Sequence, residues 1–224
     1  MTPVTPVTPV NPATPVNPAT SATPATPDTV LFDLFGVIAR HQSPEGWARL
    51  VAGAGVPAPA FRDAYWSLRP PYDRGDLTGP DYWRAVAGAL GVRFDARRTA
   101  ALIEADIASW SAVDEEMVDL IGELAASGRT IALLSNVPED LAAHYERHHP
   151  WLGHFAVRAL SCRIGHAKPE PEAYAWALRA LGLEPGRILF VDDREENLRA
   201  ARAQGLHTHL FTTPASLRPA LPRG

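Results

Sequence analysis

Thr29-Val-Leu-Phe-Asp-Leu-Phe-Gly-Val-Ile38 decides the fold: a short apolar, partly β-branched run that ends on a carboxylate, Asp33, and then turns at Gly36. Such a run reads as a buried strand with a polar group at its carboxyl end. The next clear strand, Thr130-Ile-Ala-Leu-Leu, begins almost a hundred residues later. From Val113 onward the pattern alternates. It predicts helices at about 114–127, 138–148, 170–182 and 194–204, and strands at 130–134, 155–160, 187–191 and 207–211. Strands separated by helices of that length need right-handed crossovers. The expected fold is therefore α/β, a Rossmann-like, mainly parallel sheet with helices on both faces, formed by residues 29–40 and 112–224. Between its first two strands, residues 41–111 carry helical spacing, as in Trp47-Ala-Arg-Leu-Val and Tyr82-Trp-Arg-Ala-Val-Ala, with Thr78-Gly-Pro-Asp81 as a capping box. This stretch reads as an inserted helical lobe.

Upstream, residues 1–28 hold eight prolines, and Pro3 to Pro18 recur at every third position. The period matches polyproline II, so a semi-extended, disordered tail is expected; it lacks the cationic and apolar regions of a signal peptide. The whole chain of 224 residues has a formal net charge of −4 and no basic stripe. That speaks against nucleic acid as a partner. No apolar run approaches the length of a membrane span. A single cysteine, Cys162, forms no internal disulfide and suits a reducing cytoplasm; it reads as a small buried hydrophobe.

In an open parallel sheet, ligands bind beyond the carboxyl ends of the strands. Those ends carry Asp33, then Ser135-Asn136, then Lys168-Pro169 a few residues past the third strand, then Asp192-Asp193. A carboxylate nucleophile, a hydroxyl, an ammonium and a carboxylate pair converging on one mouth make a site for a divalent cation and a phosphoryl group. Each has a plainer reading taken singly: Ser135 and Asp193 as helix caps, Lys168 as a solvated residue before a proline-led helix. Of 21 basic residues 20 are arginine and only Lys168 is lysine; Asn136 and Asn197 are the only asparagines beyond the tail. Such a choice points to a compact ammonium at that one place, with a compositional accident as its plainer reading.

Together, Phe32-Asp33-Leu34-Phe35-Gly36-Val37-Ile38, Leu134-Ser135-Asn136, Lys168-Pro169 with Pro171, and Val191-Asp192-Asp193 with Asn197 and Gly205 resemble the four motifs of the haloacid dehalogenase-like hydrolase superfamily. The lobe then resembles that family's small helical cap, and Tyr72–Trp83 a cap segment of its sugar-phosphatase-like and epoxide-hydrolase-associated branches. The resemblance implies Asp33 as nucleophile, Ser135 and the Asn136 amide as donors to a phosphoryl oxygen, and Lys168 as the neutralising cation. It implies magnesium held by Asp33, the main-chain carbonyl of Phe35, Asp192 and Asp193, and a small-molecule substrate.

At Phe35 the chain departs from the family's phosphatases, which carry there a second aspartate that shuttles protons. General acid–base help is typically worth about 10²- to 10⁴-fold. The family's 2-haloacid dehalogenases place an aromatic residue there, since halide leaves without a proton. Against that reading, the three aspartates and one lysine leave two negative charges in a cleft meant for an anion, which a divalent cation cancels. Candidates to replace the missing acid are His41, also a candidate substrate contact, and Asp73 and Asp76, with a hinge histidine and two turn carboxylates as their plainer readings; acyl phosphates need no acid. Trp47, Tyr65, Trp66, Tyr72, Tyr82 and Trp83 are expected to pack the lobe's core. Three functions follow: a magnesium-dependent phosphatase, a haloacid dehalogenase, or a phospho-ligand-binding protein that keeps the scaffold without turnover.

Overall fold

A computed structural model describes residues 27–221, so the predicted tail falls outside the described residues up to position 26. Five strands form one sheet: β1 Thr29–Phe32, β2 Thr130–Ser135, β3 Val157–Leu160, β4 Ile188–Asp192 and β5 His207–Leu210. Their order is β3-β2-β1-β4-β5, and every pairing is parallel. The chain winds outward from β1 to β3 and then returns to lay β4 on the other side of β1. The crevice opens where that direction reverses, at the carboxyl end of β1.

All four residues of β1 are buried. Val30 and Phe32 point into a core shared with α6 (Glu115–Ala126) and α7 (Glu139–His148), whereas Leu31 points into a second core with α9 (Pro171–Leu181) and α10 (Glu195–Ala203). A strand covered on both faces has no use for polar alternation, which is why Val30–Phe32 is continuously apolar.

Residues between β1 and β2 fold into α1 Pro44–Ala54, α2 Ala58–Ser67, α3 Arg69–Asp73, α4 Gly79–Ala89 and α5 Ala96–Trp110. Local chemistry sets their starts. Ser43, Thr78 and Asp95 cap α1, α4 and α5 by accepting from backbone amides three residues on. At α4 the Thr78 hydroxyl donates to the Asp81 carboxylate, so the cap is made from Thr78 rather than by a reciprocal box. These helices share their own core, built on Leu50, Phe61, Tyr65, Tyr72, Tyr82 and Trp83. Trp66 departs from the expectation for the aromatics: it is 44% exposed.

The helices are tied down over the sheet's mouth. The Tyr72 hydroxyl donates to Asp140 at 2.8 Å, the Ser161 hydroxyl to the Asp73 carbonyl, and Arg74 pairs with Glu170. Gly75, at φ 84°, lies so close to the Cys162 carbonyl that a Cβ would sit 2.3 Å from it. Cys162 itself is partly buried, with its thiol at Glu139 and pushed up to about 12 by burial and that carboxylate. Among the described residues no helix is long and apolar enough to cross a membrane.

Candidate active site

Parallel register puts the polar groups side by side: Phe32 pairs with Leu133 on one flank and Val191 on the other, so Asp33 emerges level with Leu134 and Asp192. Lys168 reaches in from the loop after β3. Its ammonium lies 2.7 Å from Asp33 Oδ1 and 2.7 Å from Asp192 Oδ2, with a side chain only 1% exposed. Asn136 sets that reach. Its amide nitrogen donates to the Lys168 carbonyl at 2.7 Å and its oxygen accepts the Lys168 N–H at 2.7 Å. Asn136 therefore acts on the main chain of Lys168, a role that residue type and spacing do not disclose.

Asp33 Oδ1 accepts both the lysine and the Leu34 N–H, at 2.6 Å; its Oδ2 accepts from no group among the described residues. Burial pushes the Asp33 carboxyl up to about 7, against the pull of Lys168 and with a further push from Asp192. For Lys168, burial disfavours the ammonium, but the two carboxylates outweigh it and hold its pKa above the ordinary value.

The two neighbouring aspartates differ in what they touch. Asp192 is fully buried and saturated, accepting from Lys168, from the Arg194 N–H at 2.8 Å and from the Asn197 amide at 3.0 and 3.1 Å. Asp193 has one oxygen, Oδ2, 2.9 Å from His41 Nε2, and its buried Oδ1 has no partner. Gly36 makes room for this contact: at φ 84°, its position would put a Cβ 2.3 Å from Asp193 Oδ2.

Asp33, Asp192 and Asp193 each offer an oxygen within 4.8 Å of the others. The Phe35 carbonyl takes no part in the hydrogen bonds of its turn, which run instead to Leu34 and Ala39. An unpartnered Asp193 oxygen, the Asp33 carboxylate and the Phe35 carbonyl are a donor set that fits a hard divalent cation and leaves Asp33 Oδ2 for attack. Asp192, already holding Lys168, contributes by placing the ammonium. Ser135, fully buried, aims a hydroxyl that has no partner either. Such orphaned groups are rare unless a ligand or water completes them.

Asp33, Asn136, Lys168 and Asp193 line a cavity of about 390 Å³, whereas Asp192 and Ser135 lie behind its surface. His41 and Asp73 reach it; Asp76 does not, pairing at the surface with Arg74. Phe35, Trp66 and Trp110 line the same cavity, with Phe35 packed edge-on to Trp110 at 5.3 Å and to Tyr145 at 5.7 Å. Arg69 also lines the cavity. It is buried, bonded through Nε to Asp73 and through Nη1 to Asp106 and the Tyr65 hydroxyl. Burial pushes the Asp73 and Asp106 carboxyls up, with the arginine opposing it. Arg69 and Trp110 escape sequence reasoning because nothing separates them there from nineteen other arginines and five other tryptophans.

A family model described as haloacid dehalogenase-like hydrolase matches residues 27–205. Over 63 residues the chain is 40% identical to bifunctional epoxide hydrolase 2 of Rattus norvegicus, covering 28% of this chain and 11% of that protein. Over 89 residues it is 30% identical to phosphoglycolate phosphatase of Salmonella typhi, covering 40% and 35% respectively. The chain thus spans only a minor part of each relative's length. Among solved structures, a HAD family enzyme of Bacteroides thetaiotaomicron in complex with magnesium and inorganic phosphate superposes with a TM-score of 0.68. Its identity is 19%, over 84% of this chain and 96% of that one. L-2-haloacid dehalogenase of Xanthobacter autotrophicus with covalently bound chloropropionic acid gives 0.64 at 18% identity, over 86% and 81%. At such identities the likeness is one of fold.

Proposed function

The chain belongs to the haloacid dehalogenase-like hydrolases, and from that premise and the geometry of its cleft we propose that it is a magnesium-dependent phosphatase of small phosphorylated metabolites. One observation carries the reading: three aspartate oxygens within 4.8 Å of one another are balanced by a single buried ammonium, at the sheet edge where Ser135 ends β2 with an unpartnered buried hydroxyl. That leaves two negative charges where an anion must dock, and a cation removes them. Magnesium, held by Asp33, Asp193 and the Phe35 carbonyl, would supply charge neutralisation for a phosphoryl group. Asp33 Oδ2 is the free nucleophile, Lys168 neutralises its partner oxygen, and Ser135 Oγ donates to a phosphoryl oxygen. The Asp33–phosphorus bond forms as the phosphorus–leaving-group bond breaks, and water then hydrolyses the aspartyl phosphate. Phosphate release from acetyl phosphate and from phosphate monoesters, with magnesium and with chelator, tests this; equal release in chelator overturns it.

Phe35 favours a second reading, displacement of halide from a 2-haloacid by the same carboxylate. Halide release in the presence of chelator is its signature.

A further inference from the structure

We infer that the natural substrate of this site is an aryl monophosphate: a phosphate carried on a flat aromatic ring that bears no second charge. The inference rests on the phosphatase reading and narrows it.

Two features of the cavity point the same way. The first is the aromatic part of the cavity lining. Phe35, Trp66 and Trp110 present ring surface there, with Trp66 and Trp110 edge-to-face at 6.2 Å and Phe35 and Trp110 at 5.3 Å. Trp66 is 44% exposed although its neighbours Tyr65, Tyr82 and Trp83 are wholly buried. A large aromatic left uncovered at a cavity mouth is surface kept for something to lie against. The second is charge. Of the arginines and lysine that line the cavity, Arg69 is tied to both Asp73 and Asp106, Arg194 is paired with Glu196, and Lys168 lies between Asp33 and Asp192. Among the described residues that line the cavity, no unpaired arginine or lysine remains to receive a carboxylate or a second phosphate. The remote part of the substrate is therefore flat and uncharged, and about 390 Å³ admits a phosphate with one or two rings.

The chemistry closes on the same class. Position 35 offers a phenyl ring instead of a carboxyl, and the two acids that do reach the cavity are engaged elsewhere, His41 with Asp193 and Asp73 with Arg69, so the leaving oxygen departs without a proton. As Asp33 Oδ2 bonds to phosphorus, the phosphorus–oxygen bond breaks and its electron pair goes to the aryl oxygen. The ring delocalises that charge, and the aryloxide takes its proton afterwards from water. An alkoxide has no such outlet.

With the full chain and magnesium, kcat/KM is compared for 1-naphthyl, phenyl, cyclohexyl and acetyl phosphate. Phenyl phosphate is expected to exceed cyclohexyl phosphate by about 10² or more, because no proton donor levels the two. Trp66→Ala, at a partly exposed position, is expected to lower the naphthyl-to-acetyl ratio about three- to tenfold through lost ring contact. Cyclohexyl phosphate within threefold of phenyl phosphate overturns the inference, as does an unchanged naphthyl-to-acetyl ratio in Trp66→Ala. Turnover of acetyl phosphate without an aryl preference overturns it and leaves the phosphatase reading standing; turnover of none of the four removes both.

Discussion

Replacing Lys168 by Met strips the ammonium from between two carboxylates that lie 2.7 Å away on either side and are themselves 8% and 0% exposed. Removing one partner of a buried ion pair costs about 3–5 kcal/mol. The cost falls mainly on Asp33, since Asp192 keeps Asn197 and the Arg194 N–H while Asp33 keeps only the Leu34 N–H. For a chain of this size that is a fall in Tm of about 6–20 °C. The pH dependence has a definite sign. In the metal-free native protein the Asp33 carboxyl lies at about 7, above its ordinary 3.8. Across that window the native state keeps a proton that the unfolded state has released, so stability falls as pH rises. Without the ammonium the Asp33 carboxyl moves higher still, so the variant's deficit is small near pH 5 and full near pH 8, where magnesium reduces it. Urea denaturation of both proteins at about pH 5, 6.5 and 8, in chelator and in magnesium, measures each quantity. A deficit equal at pH 5 and pH 8, or smaller than about 1 kcal/mol at pH 8, refutes the reasoning.

Phe35→Asp restores a proton donor and should raise kcat/KM for cyclohexyl phosphate by about 10²-fold or more. It forfeits the edge contacts to Trp110 and Tyr145, worth about 0.5–1.5 kcal/mol each; a folded variant with no gain shows that position 35 does not face the leaving group. Asp193→Asn should abolish magnesium binding in calorimetry, whereas Asp192→Asn should chiefly loosen Lys168 and flatten the pH dependence of stability; equal loss of magnesium from both contradicts the division drawn from their hydrogen bonds. Gly36→Ala forces a Cβ to within 2.3 Å of Asp193 Oδ2 at a φ of 84°. It should cost about 1–2 kcal/mol in backbone strain alone and weaken magnesium binding as well; an unchanged Tm with intact magnesium affinity excludes the close approach.

The sheet was legible because its signals are local. A run such as Val30–Phe32, apolar at every position, can only be covered on both faces, and helices of ten residues or so between such runs leave parallel crossovers as the connection. Strand ends follow from the runs, so Asp33, Ser135 and Asp192 could be assigned to one rim before any coordinates, and Lys168 stood out as the lone lysine. Element boundaries differ by a residue or two, as at β3, which begins at Val157 rather than 155.

What the residues do to one another was another matter. Asp192 and Asp193 are adjacent and chemically identical, yet one is saturated by Lys168 and Asn197 and the other keeps a buried oxygen without a partner. Which is which depends on the pleat of β4 and on a lysine arriving from twenty-four residues upstream. Tyr65 and Trp66 likewise share a helix, one buried at the centre of its bundle and one facing the cavity, because a step of one residue turns a side chain by about 100° around the axis. Pattern along the chain determined which groups stand at the mouth of this protein. Only packing between distant segments decided their orientations, since burial and hydrogen bonding are properties of neighbours that the order of residues does not name.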